Sequence, residues 1–312
     1  MILRNPLLAV ALAATTLIPA AALAKTQAAD PAQLAPATAD SIRKSIEKDR
    51  ADTDNWLKTS PTSYLATILR RDFENKPSLV VGSDPTSDVR IDDAAIRPHH
   101  LRVTVVGDSF QVAALDEGAT FKIKDAEFRT ATVAPSSIIV GRYTLRLSHQ
   151  RFPAIIVFDP QSPRYKDYKG LHWFPVDLKY RYELALTENP KPDTVIILST
   201  RGNQRRAVRV GWFDFKVAGK PCRLEATRLL EPCVGEHDFG LFFRDATTGK
   251  DSYGLGRYVD VEPLKNGRYV LDFNVAYNPA CAVSDHYNCP IPPKANDLKV
   301  AIKAGEMDSH YH

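Results

Sequence analysis

A chain of 312 residues, 44% of them apolar and 25% charged, is long enough for one large or two modest globular domains and too apolar to be disordered by default. Its formal charge of +4, from 41 Lys plus Arg against 37 Asp plus Glu, supplies no basic excess of the kind that marks nucleic-acid or anionic-membrane binding. Four cysteines, all in the second half, allow three disulfide connectivities.

Residues 1–24, MILRNPLLAVALAATTLIPAAALA, combine an early Arg4, an apolar run and an Ala22-Leu23-Ala24 ending. That is the three-part pattern of a secretory signal peptide, too short and too broken by Pro19 for a span, so a periplasmic or secreted chain without a membrane span after processing is expected. Residues 25–39, small and proline-broken, are expected as a flexible linker. From Asp40, which can cap, Ile42 and Ile46 one turn apart and Trp56-Leu57 at the end of a charged run predict an amphipathic helix. A second short helix is expected from Ser63 to Arg71.

Beyond Leu79 the texture changes. Short alternating runs such as LRVTVV, FQVAAL, YTLRLS and DTVIILST, separated by Gly, Pro, Asn and Asp, predict a mainly β fold of sandwich or barrel type, mostly antiparallel, with the helical segment as an edge cover. The proline-rich, charged stretch 158–170 reads as a hinge between a helical segment plus N-terminal β lobe (40–157) and a C-terminal β lobe (158–312).

An exported chain favours disulfides, and sequence-local pairing, Cys222–Cys233 and Cys281–Cys289, is the simplest of the three arrangements. Cys281–Cys289 would staple a loop that runs into Pro290, Pro292 and Pro293. No G-x-S-x-G, H-E-x-x-H or C-x-x-C occurs, and His310 and His312 lie in the terminal stretch DSHYH, so no hydrolase elbow, metal site or cofactor is expected. The lone G-x-G of YGLGRY precedes a strand pattern and reads as a close backbone approach, not a phosphate loop. TRGNQRRAVRVGWFDF reads as a hairpin with a cationic solvent face.

Written as a strand, VLDFNVAY places Leu271, Phe273, Val275 and Tyr277 on a core face and Asp272, Asn274 and Ala276 on the other. If that second face is enclosed, Asp272 needs a cation, and Arg257 is the natural candidate. The expectation is a polar ligand-binding pocket built from Arg257, Asp272, Asn274 and Glu306, flanked by Tyr253 and Asn278. Its partner would be an unknown small ligand or envelope component; the sequence fixes no oligomeric state. Two alternatives stand beside it: a cell-envelope hydrolase using Asp272 and Glu306 as a carboxylate pair, and a purely structural Arg257–Asp272 ion pair with no site.

The motifs YGLGRYVDV, LDFNVAYNPACAV and CPIPPKANDLKVAIKAGE, with VVGSDPTSDVRI and GLHWFPVDLKYRYELAL upstream, closely resemble the bacterial domain of unknown function 1684 family across nearly the whole mature chain. That resemblance implies a shared β-rich fold and no established activity. It carries Tyr253, Arg257, Tyr258, Asp272, Asn274, Tyr277, Asn278, Asn296, Glu306 and the pair Cys281 and Cys289 as recurrent positions. The chain departs from it in YLATILRRDFENKPSLVV, where relatives show a tryptophan-rich pattern, and Cys222 and Cys233 look like additions. VVGSDPTSDVRIDDAAIRPHH is more weakly similar to a forkhead-associated β-sandwich, with Ser83 where that family's phosphate-gripping Arg stands and Arg97 where its Ser stands.

Overall fold

The computed structural model describes residues 28–311; the leader expected at 1–24 and the first residues of the expected linker lie outside them. One long N-terminal helix is followed by five sheets, mostly antiparallel and none closed into a barrel, so the mainly β reading holds.

The helix, α1, spans Pro36–Thr59. Pro36 opens it because the first helical turn needs no proline N–H and the ring presets φ. The helix thus starts four residues before Asp40, and no side chain caps it. Upstream, part of the stretch expected as a flexible linker is tied down: Ala29 N–H donates to Asp214 O at 3.2 Å, Lys216 N–H to Ala29 O at 2.8 Å, and Ala32 N–H to Arg181 O at 2.9 Å. Ile46, Arg50, Thr53 and Leu57 fall on one α1 face by their spacing, with Ile46 and Leu57 buried. The helix expected at Ser63–Arg71 is instead a single 3-10 turn, Tyr64–Ala66, followed by the strand Thr67–Asp72. β-Branched Thr67 and Ile68 favour extension, and pairing with Pro153–Phe158 satisfies the backbone. A long-range partner overrides the local helical pattern.

Two sheets face each other to form the first core. A six-stranded sheet runs in the order Thr67–Asp72, Pro153–Phe158, Tyr143–His149, Ser136–Val140, Phe121–Ile123, Ala126–Phe128. A five-stranded sheet contains Val89–Arg90, Ser78–Gly82, Leu101–Val106, Ser109–Ala114 and Thr130–Val133. Leu79, Val81, Val103, Phe110 and Val112 from one pack with Val140, Leu145, Leu147, Ile155 and Val157 from the other. Strict alternation of burial along Tyr143–His149 shows why this half was readable from its period of two.

A second core gathers Tyr182, Phe213, Phe215, Leu224, Phe243, Val259, Leu271 and Phe273. The strands Thr187–Leu198, Gln204–Val217 and Lys220–Leu229 make one meander, with the cationic hairpin turning at Gly202. Arg181–Leu184, Tyr269–Asp272 and Val261–Pro263 make a second small sheet, and Leu241–Phe243 pairs with Arg257–Val259. In YGLGRY, Gly256 has φ +102°, and a Cβ there would meet Phe243 O at 2.6 Å; only glycine permits that approach.

Asn296 shows what the recurrent polar residues do here. It is 1% exposed; its amide donates to Glu225 O (3.0 Å) and Phe242 O (2.8 Å) and accepts from Glu225 N–H (2.7 Å). Asn296→Ala strands three buried backbone groups and is expected to lower unfolding free energy by about 2 kcal/mol, read as a shifted urea midpoint at unchanged slope.

Neither expected disulfide is present. Cys222 is the third residue of the extended strand Lys220–Leu229 and Cys233 lies four residues past its end. Seven residues of strand carry the chain roughly 23 Å away, and four residues return at most about 14 Å, beyond disulfide reach. Cys281 and Cys289 do meet: Cys281 N–H donates to Cys289 Sγ at 3.3 Å, both side chains are buried, and the two thiols share a hydrogen bond that lowers Cys281 and raises Cys289. Among the described residues no three His, Cys, Asp or Glu group as a metal site, and no helix is long and apolar enough to cross a membrane.

Candidate functional site

Arg257 is not paired with Asp272. It is wholly buried, and its guanidinium donates to Ala304 O (2.5 Å), Ile302 O (2.9 Å) and Glu306 O (3.2 Å), 3.5 Å from Asp245. Rings of Phe243 and Phe174 lie 5.2 and 5.7 Å from it. Asp245 is held in turn by Thr247 and Thr248 hydroxyls and by Ile302 N–H. Desolvation lowers the Arg257 pKa against the pull of Asp245. Arg257, with no exposed surface, clamps the irregular segment 302–306 to the sheet.

Asp272 ends its strand rather than continuing it. Its Oδ1 accepts from Asn274 N–H (2.9 Å) and Asn274 Nδ2 (2.8 Å), which folds Phe273–Val275 into a 3-10 turn, and its Oδ2 meets Arg181 at 2.7 Å. The expected strand alternation therefore breaks: Val275 is 38% exposed, and Asn274 and Ala276 are buried. Asn274 spends its amide on Asp177, accepting from its N–H (2.8 Å) and donating to its carbonyl (2.9 Å). Tyr253 lies outside the cavity, its hydroxyl donating to Cys281 O at 3.4 Å.

The turn leads into the site. Gly305, at φ +82°, packs so closely that a Cβ would stand 2.6 Å from Ala276 O and 2.7 Å from Phe273 O, and Glu306 N–H then donates to Ala276 O at 2.8 Å. Glu306 is thereby set beside Asn278: Oε2 accepts from its N–H (2.9 Å) and Oε1 from its Nδ2 (3.0 Å). Asn278 Nδ2 also donates to Met307 O (2.8 Å), while its buried Oδ1 has no partner. Burial is the main cause that pushes the Glu306 carboxyl up to about 7, opposed by Asn278 and Arg257 and assisted by Asp308.

Glu306, Asn274 and Asn278 form one side of a cavity of about 280 Å³. α1 covers it with Ile46, Asp49, Arg50, Thr53, Trp56 and Leu57, while Trp173, Leu171, Tyr64, Val275, Tyr277 and Val283 complete the walls. Arg50 fastens the helix: it donates to Phe174 O (2.9 Å) and Asn274 O (3.0 Å), with its guanidinium carbon 4.8 Å from the centre of the Trp173 ring. Asp54 adds Tyr168 OH (2.7 Å) and Leu171 N–H (3.2 Å). Largely apolar walls with a few convergent polar groups are the usual make-up of a small-molecule site.

Asp272 opens on a different hollow, a groove of about 150 Å³ lined also by Asp49, Arg181, Asp260 and Glu262. The two carboxyls expected as a catalytic pair thus do not share the cavity. Sequence reading missed Asp49, Arg50, Thr53 and Tyr64 as wall residues; the 46/50/53/57 spacing was the available signal.

The sequence model of a family described as "Protein of unknown function (DUF1684)" matches residues 166–307. An uncharacterized protein of Haloarcula marismortui, solved by NMR, is similar at 36% identity over 49% of this chain and 85% of that chain, with a TM-score of 0.39. Two forkhead-associated domains are similar at lower identity. One, the FhaA domain solved with the intracellular domain of Rv3910, shows 17% over 26% of this chain and 81% of its own, TM-score 0.21. The other, described for phosphothreonine-dependent interactions, shows 14% over 29% and 94%, TM-score 0.21. No curated protein matches the sequence.

Proposed function

Because the chain belongs to the DUF1684 family, whose description carries no activity, we infer its function from the cavity: it binds a small ligand with an apolar, ring-sized body beneath α1. The observation that carries this reading is a buried carboxyl facing an apolar-walled cavity with no Lys or Arg within ion-pair distance among the described residues, beside an amide oxygen with no partner. Buried polar groups left in this state are costly unless something completes them. The leader pattern at 1–24 supports a periplasmic or secreted site of action, and the separate cores support two β lobes, with α1, expected to go with the first, packed against residues of the second.

Thermal unfolding of the purified protein against a small-molecule collection tests this. Thr53 is exposed yet lines the cavity, so Thr53→Phe fills the space without touching either core. A true ligand at a hundredfold excess over its Kd stabilises by about 2.7 kcal/mol and should lose that effect in Thr53→Phe. Ligands indifferent to this substitution would place binding elsewhere.

A further inference from the structure

Resting on the cavity reading, we propose that the ligand carries a protonated primary amine, seated at Glu306 and Asn278, on a body that contains one aromatic ring or a comparable apolar group.

At the Glu306–Asn278 end of the cavity the unmet need is for donors; the unpartnered lining donor, Arg50 Nε–H, belongs to the helix side. Both carboxylate oxygens of Glu306 and Asn278 Oδ1 are acceptors, and the Asn278 amide nitrogen is already spent on Glu306 and Met307. An ammonium offers three donors and the charge that a buried carboxylate needs. Tyr64, Trp56 and Tyr277 supply ring faces and edges around the same space, suited to a cation and to an aromatic body alike.

The surrounding field has the matching sign. The cavity and the outer groove share Ile46, Asp49 and Val275, and together they are lined by five carboxyls, Asp49, Asp260, Glu262, Asp272 and Glu306, against two guanidiniums. The whole chain, by contrast, is formally +4. Of the two cations, Arg181 is bound to Asp272, and Arg50 gives its two terminal nitrogens to carbonyls and its face to the Trp173 ring, with only Nε–H left over. A negative approach to a hollow concentrates cations at its mouth.

Calorimetric titration at pH 8 and low salt with 2-phenylethylamine, 2-phenylethanol and 3-phenylpropanoate separates the possibilities. The amine is expected to bind about tenfold or more tightly than the alcohol, as a charge-assisted contact should, and the carboxylate not at all. Glu306→Gln should bring the amine down to the alcohol. Since that change touches a buried hydrogen-bonded group, Asp49→Asn on the exposed helix surface provides a second arm, expected to weaken the amine about threefold. Equal binding of amine and alcohol, both blocked by Thr53→Phe, would overturn the amine assignment and leave the cavity reading standing. Preference for the carboxylate would overturn it as well, and binding of all three unaffected by Thr53→Phe would overturn both.

Discussion

Arg257→Ala is expected to lower the unfolding free energy by about 3–5 kcal/mol, the usual cost of removing one partner from a buried ion pair. Both side chains of the Arg257–Asp245 pair are fully inaccessible, so the substitution leaves an uncompensated carboxylate in the interior. Three carbonyls, at Ile302, Ala304 and Glu306, lose their donor at the same time. Urea denaturation should show a lower midpoint with unchanged slope. Arg257→Lys should recover part of the loss, because one ammonium cannot span all the positions that the planar guanidinium reaches. Pairing Arg257→Met with Asp245→Asn should recover more, since the stranded charge is then gone. A fully stable Arg257→Ala that had lost only ligand affinity would return Arg257 to the role the sequence suggested for it.

The second large effect is a pH dependence owed to Glu306. Burial raises its carboxyl from 4.5 to about 7 in the folded protein, so the native state holds this proton more tightly than the unfolded chain does. The contribution is therefore fully present below pH 4.5 and is lost as pH rises through 7. Integrated over that window it amounts to about 3 kcal/mol. The groups that face Glu306 and set this window are Arg257 and Asn278, which favour the anion, and Asp308, which opposes it; Tyr64, Tyr168 and Tyr311 also feel its charge. The stability of the native sequence minus that of Glu306→Gln, measured from pH 4 to 8, should fall by this amount. A difference independent of pH would mean that the carboxyl ionises in the fold as it does in water. The strain has a functional sense: a bound ammonium would relieve it, and binding near neutral pH would release the proton.

The β half of the fold was legible wherever a strand kept one face inward. YTLRLS and LRVTVV alternate in burial as they alternate in sequence. Legibility failed where a local device or a distant partner intervened. LDFNVAY has the strand period, but Asp272 caps Asn274 and turns the chain after one more residue. YLATILRR has apolar spacing compatible with a helix, and pairing with Pro153–Phe158 makes most of it a strand. At the site, Glu306 and Asn278 were readable as residue types, whereas Asp245, the true partner of Arg257, sits in RDATTGK and looks like an ordinary surface turn. The roof of the cavity was hidden for a related reason. Asp49, Arg50 and Thr53 read as the solvated face of a charged helix, and only the contacts of Arg50 with Phe174 and Asn274, more than a hundred residues away, lay that face along the rim of the cavity.

Two of the three tryptophans, Trp56 and Trp173, line the cavity, and the third, Trp212, stands on the strand Gln204–Val217 away from it. In a Trp212→Phe protein all indole emission therefore comes from the cavity walls. Titration of that protein with 2-phenylethylamine should give a saturable change in emission that disappears when Thr53→Phe is added. Emission that stays constant while calorimetry registers binding would contradict the claim that the space under α1 is where this protein takes its ligand.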